Sequence, residues 1–145
     1  MKNAGGRLAW ATTPQGARLL DDTYNANPTS LRAAMELLAG LPGERLLIIG
    51  GMAELGPDAA KLHAEAGAEA RKLGIQRLLT LGPLAAEASR AFGAGSEHFE
   101  DVHSLNERAR VLLHPGMAVL VKGSRSARME RVVTALTGAT KGEGH

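Results

Sequence analysis

The sequence predicts an α/β domain of three layers, with a mostly parallel sheet between two sets of helices and an antiparallel strand at one edge. Three observations carry that prediction. Short apolar runs such as Leu46-Leu47-Ile48-Ile49 and Val119-Leu120-Val121 are continuous rather than alternating, as in strands covered on both faces. Between them lie segments whose apolar residues recur at helical spacing. The two patterns alternate along the chain, and repeated strand-helix-strand units imply parallel strands joined by crossover helices.

The first strand runs from Leu8 to Ala11 and the second from Ala17 to Asp21. Thr13-Pro14-Gln15-Gly16 between them has the composition of a hairpin turn, which makes this the antiparallel edge. Asn27 is placed as N-cap and Pro28 as first residue of a helix whose buried stripe is Leu31, Ala34, Met35 and Leu38, stopped by Gly40 and Pro42. A strand from Arg45 to Ile49 leads to a helix over Ala59 to Leu73, ended by Gly74. A strand from Arg77 to Thr80 leads to a helix over Leu84 to Phe92, ended by Gly93. After a strand from Glu97 to Phe99, a helix begins near Ser104, whose spacing to Glu107 suits a capping box. A strand from Ala118 to Val121 and a helix with Met129, Val132, Val133 and Leu136 on its buried side complete a Rossmann-like domain.

All 145 residues fit one domain, with a core over 6–137 and a frayed tail at 138–145. Aromatics are 3% of residues, so the interior must come from Leu, Ala, Val, Ile and Met. The absence of cysteine excludes disulfides and thiolate chemistry and fits a cytoplasmic protein. No apolar run is long enough to span a bilayer, so membrane insertion is not expected. A formal net charge of +2 gives no case for nucleic acid. The histidines lack metal-ligand spacing, no metal site is expected in the chain, and no nucleophile stands with a matched base.

Chemistry concentrates where strands end, the place where open α/β sheets bind ligands. The densest corner is Asp21-Asp22-Thr23-Tyr24-Asn25-Ala26-Asn27-Pro28-Thr29-Ser30. Asp21 or Asp22 suits a ribose hydroxyl or a metal-bound phosphate, Tyr24 a purine or sugar face, and Asn25 an adenine edge. Each has a plainer use: turn carboxylates, a packing tyrosine, and Asn27 as a helix cap. A second corner, Lys122-Gly123-Ser124-Arg125-Ser126, joins a strand end to a helix start, where Lys122 and Arg125 suit a carboxylate or phosphate. Its plainer use is a solvated basic patch with Ser126 as cap. A third, Gly50-Gly51-Met52-Ala53-Glu54-Leu55-Gly56, offers Glu54 for a substrate amine or a neighbouring base; His63 beyond it reads as a surface or supporting group. Arg7, before the first strand, suits a mobile phosphate-binding arm or a plain solvent-facing side chain. No G-x-x-x-x-G-K-[ST] loop occurs.

Together, Gly6-Arg7, the Asp21 to Ser30 corner, Gly50-Gly51-Met52-Ala53-Glu54-Leu55-Gly56 with His63, and Lys122-Gly123-Ser124-Arg125 resemble the C-terminal domain of the bacterial Mur ligases. The resemblance covers Gly6 to Leu136. Tyr24-Asn25-Ala26-Asn27-Pro28 is its most specific part and points to the branch that adds D-alanyl-D-alanine. Gly51 departs from the family pattern, which usually carries Asp there.

The resemblance implies a domain of an ATP-dependent amide ligase joining D-alanyl-D-alanine to UDP-N-acetylmuramoyl-tripeptide through an acyl phosphate, in peptidoglycan precursor synthesis. It implies ATP and Mg2+ in the full-length enzyme, with the magnesium ligands in a central domain, and N-terminal and central domains as partners. Arg7 and Lys122 then fall to catalysis, with Arg7 also at the nucleotide beside Asp22, Tyr24, Asn25 and Asn27. Lys122, Ser124, Arg125 and Glu54 fall to the incoming substrate. The domain alone is expected to be inactive. A folylpolyglutamate synthase-like domain shares the architecture but explains the Tyr24 segment less well. A free-standing nucleotide- or phosphate-binding module and a purely structural interaction domain also fit the composition.

Overall fold

The computed structural model describes residues 9–23 and 26–138. Arg7, Tyr24, Asn25 and the tail from residue 139 lie outside the described residues. Six strands form one sheet in the order β1-β2-β6-β3-β4-β5. β1 (Ala9–Thr12) is antiparallel to β2 (Arg18–Asp22), with Trp10 opposite Leu20. All other neighbours are parallel: β2 with β6 (Ala118–Lys122), β6 with β3 (Arg45–Gly50), β3 with β4 (Arg77–Leu81), and β4 with β5 (Ser96–Phe99). The expected three layers and antiparallel edge are both present.

The helices divide according to the direction in which the chain crosses the sheet. α1 (Pro28–Ala39), α2 (Ala59–Lys72) and α3 (Ala86–Phe92) carry it from β2 out to β5 on one face. α4 (Val102–Leu112) returns it to β6 on the other face, where α5 (Glu130–Thr137) also packs. Right-handed crossovers require this, because reversing direction across a sheet of fixed twist changes the face. Alternate residues of each strand serve the two sides. Leu20, Leu47, Ile49, Leu78 and Leu120 pack with α1 to α3, whereas Leu19, Leu46, Ile48, Leu79, Val119 and Val121 pack with α4 and α5. This double cover is why the strands read as continuous apolar runs.

α1 forms as its sequence directs. Asn27 accepts from the Ser30 amide at 2.8 Å, while the Ser30 hydroxyl accepts from the Asn27 amide at 3.1 Å. Leu31, Ala34, Met35 and Leu38 are all buried, and each large one removed from water contributes about 1.5–3 kcal/mol. α4 starts earlier than expected. Asp101, not Ser104, is its N-cap: the carboxylate accepts from both the Ser104 amide (2.8 Å) and hydroxyl (2.7 Å). A charged acceptor outcompetes the hydroxyl for the free amides of the first turn. No helix among the described residues is long and apolar enough to cross a membrane.

Candidate active site at the strand ends

The five parallel strands deliver their following loops to one edge of the sheet. In the first, Asp21 spends its carboxylate on its own turn, accepting from the Thr23 amide (3.2 Å) and hydroxyl (2.9 Å). Asp22 faces elsewhere. Its Oδ2 lies 2.6 Å from the Lys122 ammonium, with the two side chains 13% and 1% exposed. Lys122 therefore belongs to the interior and not to a solvated basic patch. The two residues are direct register partners at the end of β2 and β6. By strand alternation both side chains share the face of Leu20 and Leu120, the α1 side.

The loops after β3 and β6 interlock. Ser124 donates to the Gly51 carbonyl through its amide (3.2 Å) and its hydroxyl (2.9 Å), and the hydroxyl also meets Ser126 Oγ at 3.0 Å. The close approach demands glycine. A Cβ on Gly50 would lie 2.7 Å from Met129 Sδ and 2.8 Å from Ala127 Cβ, and one on Gly123 would lie 2.5 Å from Met129 Cγ. Gly51 has no such limit, since a Cβ there would meet Leu84 Cβ at 3.9 Å and His63 Nε2 at 4.0 Å, ordinary contact distances.

His63 holds the β3 loop from below. It is fully buried, which corrects the surface placement that its isolation in the sequence allows. Its Nε2 accepts from the Met52 amide at 2.8 Å, and its Nδ1 lies 2.7 Å from the Ala59 carbonyl. An amide can only donate and a carbonyl can only accept, so the proton sits on Nδ1. Glu54 is exposed and left-handed, at φ 59°, a conformation that costs a non-glycine residue about 1 kcal/mol. Arg125 is exposed and opens a 3-10 turn (Arg125–Ala127) that Arg128 closes at φ 54°.

A cavity of about 570 Å3 opens beside this junction. Gly51, Ser124 and Arg131 line it on one side and Leu84, Glu100 and Asp101 on another. It lies where helices leave the sheet in opposite directions, α2 and α3 to one face and α4 and α5 to the other, the crevice in which such sheets take ligands. The loops after β4 and β5 carry no motif, so sequence reasoning missed their share of the wall. Asn27, engaged as a cap, and Glu54 are not among its lining residues. Among the described residues, no three His, Cys, Asp or Glu side chains group as a metal site.

A doubly wound sheet with interlocked glycine turns and a crevice at the strand ends defines an α/β ligand-binding domain. The sequence model of the Mur ligase glutamate ligase domain matches residues 6–125, and the chain belongs to that family. It is 44% identical over 138 residues to the UDP-N-acetylmuramoyl-tripeptide–D-alanyl-D-alanine ligase of Escherichia coli strain K12, covering 94% of this chain and 30% of that protein. The MurF ligase of Thermotoga maritima, solved with ADP, superposes with a TM-score of 0.83 at 25% identity, covering 96% of this chain and 32% of that one. MurF from Acinetobacter baumannii gives 0.85 at 29% identity, covering 94% and 31%. The chain corresponds to the C-terminal ligase domain of MurF-like enzymes and spans 30% of the Escherichia coli relative.

Proposed function

We propose that this chain serves as the closing domain of an ATP-dependent ligase that joins D-alanyl-D-alanine to UDP-N-acetylmuramoyl-tripeptide in the cytoplasm. The observation that carries the reading is the meeting of the Asp22 corner with the 122–125 turn at adjacent strand ends. The first resembles the nucleotide segment of the family and the second its substrate segment. In the reaction, the tripeptide carboxylate takes the terminal phosphoryl group of ATP, giving an acyl phosphate and ADP. The dipeptide amine then attacks the carbonyl carbon and loses its proton, and phosphate leaves as the amide forms.

The chain's part is positioning and the exclusion of water from the acyl phosphate. Asp22, Tyr24, Asn25 and Asn27 form the nucleotide side, and Arg7 reaches the transferring phosphate. Ser124, Arg125, Glu54 and the cavity form the amine side, with Lys122 in the same segment. The Ser124 hydroxyl is already donated to Gly51, so Ser124 acts by shaping the cavity wall. On this reading the magnesium ligands belong to the central domain.

The test is a reaction with full-length protein, ATP, Mg2+ and UDP-N-acetylmuramoyl-tripeptide, following ADP and the amide product by mass. Release of ADP and amide that requires D-alanyl-D-alanine is expected, and this chain alone should show no sustained turnover. Failure of the full-length protein to make amide overturns the reading.

A further inference from the structure

Resting on the ligase reading, we propose that Lys122 is a positioning residue: its ion pair with Asp22 is a strut that fixes the nucleotide corner relative to the substrate turn. The pair sits on the last rung that β2 and β6 share. Beyond it the chains part, one into Thr23 and the α1 cap, the other into Gly123 and the turn that grips Gly51. Backbone pairing keeps the two loops in register only as far as this rung. The 2.6 Å contact supplies a charged tie where the ladder stops. It faces α1, whereas Val121 faces α4 and α5.

Energetics argue that geometry, more than stability, is what the pair provides. Two charges this buried lose most of their hydration, and a well-packed apolar pair is often at least as stable. An apolar pair would hold the strands together without fixing the directions of the departing loops. Lys122 is buried against Asp22, whereas Arg125 is exposed. Lys122 thus acts through Asp22 and is not the group that meets the substrate's anion.

The experiment compares Asp22→Asn, Lys122→Met and the apolar pair Asp22→Leu with Lys122→Met in the full-length enzyme, measuring kcat, KM for ATP and for D-alanyl-D-alanine, and unfolding midpoints. Each single variant should lose about tenfold or more in kcat/KM for both substrates. The losses should not multiply in Asp22→Asn with Lys122→Met, giving a coupling of about 1.4 kcal/mol or more. The apolar pair should recover the unfolding midpoint without recovering kcat. Lys122→Arg, which keeps the charge, should retain more activity than Lys122→Met. Independent multiplication, or losses split so that Asp22 affects only ATP and Lys122 only the dipeptide, overturns the strut. In this chain alone, amide hydrogen exchange gives a second reading that needs no turnover. Asp22→Asn should quicken exchange at Gly123 and Ser124, and Lys122→Met should do so at Ala26 and Asn27; changes confined to the substituted side overturn it. If the full-length protein makes no amide, the ligase reading falls, while the exchange data still decide the strut.

Discussion

The two ends of the sheet carry similar residues under opposite conditions. At the end described above, Lys122 and Asp22 form an ion pair inside the protein. At the other, Glu44 accepts from Arg77 Nε at 2.9 Å and lies 2.7 Å from His114 Nε2, all three side chains being about a third exposed or more. One cluster sits where adjacent strands end and the other where adjacent strands begin. One is out of water, so its charges are costly to separate and its geometry is stiff. The other is bathed in water, so its charges are screened and free to titrate. Position in the dielectric, not residue type, decides what each cluster can do.

The largest test of that contrast removes one cation at each end. Lys122→Met leaves the Asp22 carboxylate buried beside a thioether and should cost about 3–5 kcal/mol. Arg77→Met leaves Glu44 in reach of water and of His114, and should cost under about 1 kcal/mol. Denaturant unfolding of this chain measures both. Equal losses would show that the two ends share one environment.

His63→Leu probes the buried end without touching a charge. The substitution fills much of the volume but leaves the Met52 amide, now at 2.8 Å from Nε2, without an acceptor. An unsatisfied buried amide costs about 1–3 kcal/mol. The loss should be accompanied by faster amide exchange over residues 51–55, because that loop is what the imidazole holds. Unchanged exchange there would assign His63 to packing alone.

Much of the architecture was open to reading because it rests on local rules. The stripe of α1, its Asn27 cap and the parallel strands follow from period and turn chemistry, and all are found in the structure. The family resemblance likewise rests on contiguous segments and agrees with the match over residues 6–125. What escaped depends on residues distant in sequence. Lys122 ends an apolar strand exactly as a surface lysine would, and only the β2 to β6 register brings it to Asp22, 100 positions away. His63 has the same ambiguity, since nothing local shows that its ring lies under the Met52 amide. The α4 start was misplaced for a different reason: Asp101 and Ser104 both suit a cap, and period alone does not rank them.

Asn27→Ala gives a smaller effect. It removes the acceptor of the Ser30 amide at the exposed start of α1 and should cost about 1 kcal/mol. Asn27→Asp keeps the acceptor and adds a favourable charge at the helix N-terminus, so it should retain the parent's stability. If Asn27 also serves the nucleotide, Asn27→Asp in the full-length enzyme should raise KM for ATP while leaving unfolding unchanged. A parallel loss of stability in both variants would remove the cap from the account.

The smallest effect belongs to the exposed end and is read through pH. The hydrogen bond with His114, followed by that with Arg77, holds the Glu44 carboxyl below its ordinary 4.5, and the same bond raises His114 above its ordinary 6.5. The signs differ. Glu44, with a lowered folded value, contributes stability above its ordinary value that is lost as pH falls through the folded one. His114, with a raised folded value, contributes stability that is complete below 6.5 and lost as pH rises through the folded one. The tie between the loops is therefore whole in the mildly acidic range between the two and weakens on either side. His114→Gln should lower the unfolding midpoint slightly at about pH 6, and the difference should shrink as pH rises. Added salt should shrink the difference at the lower pH. Thermal unfolding of parent and variant across this range decides it. A difference that persists undiminished at high pH would mean that His114 acts by packing, and the contrast between a rigid buried end and a titrating exposed end would lose its second half.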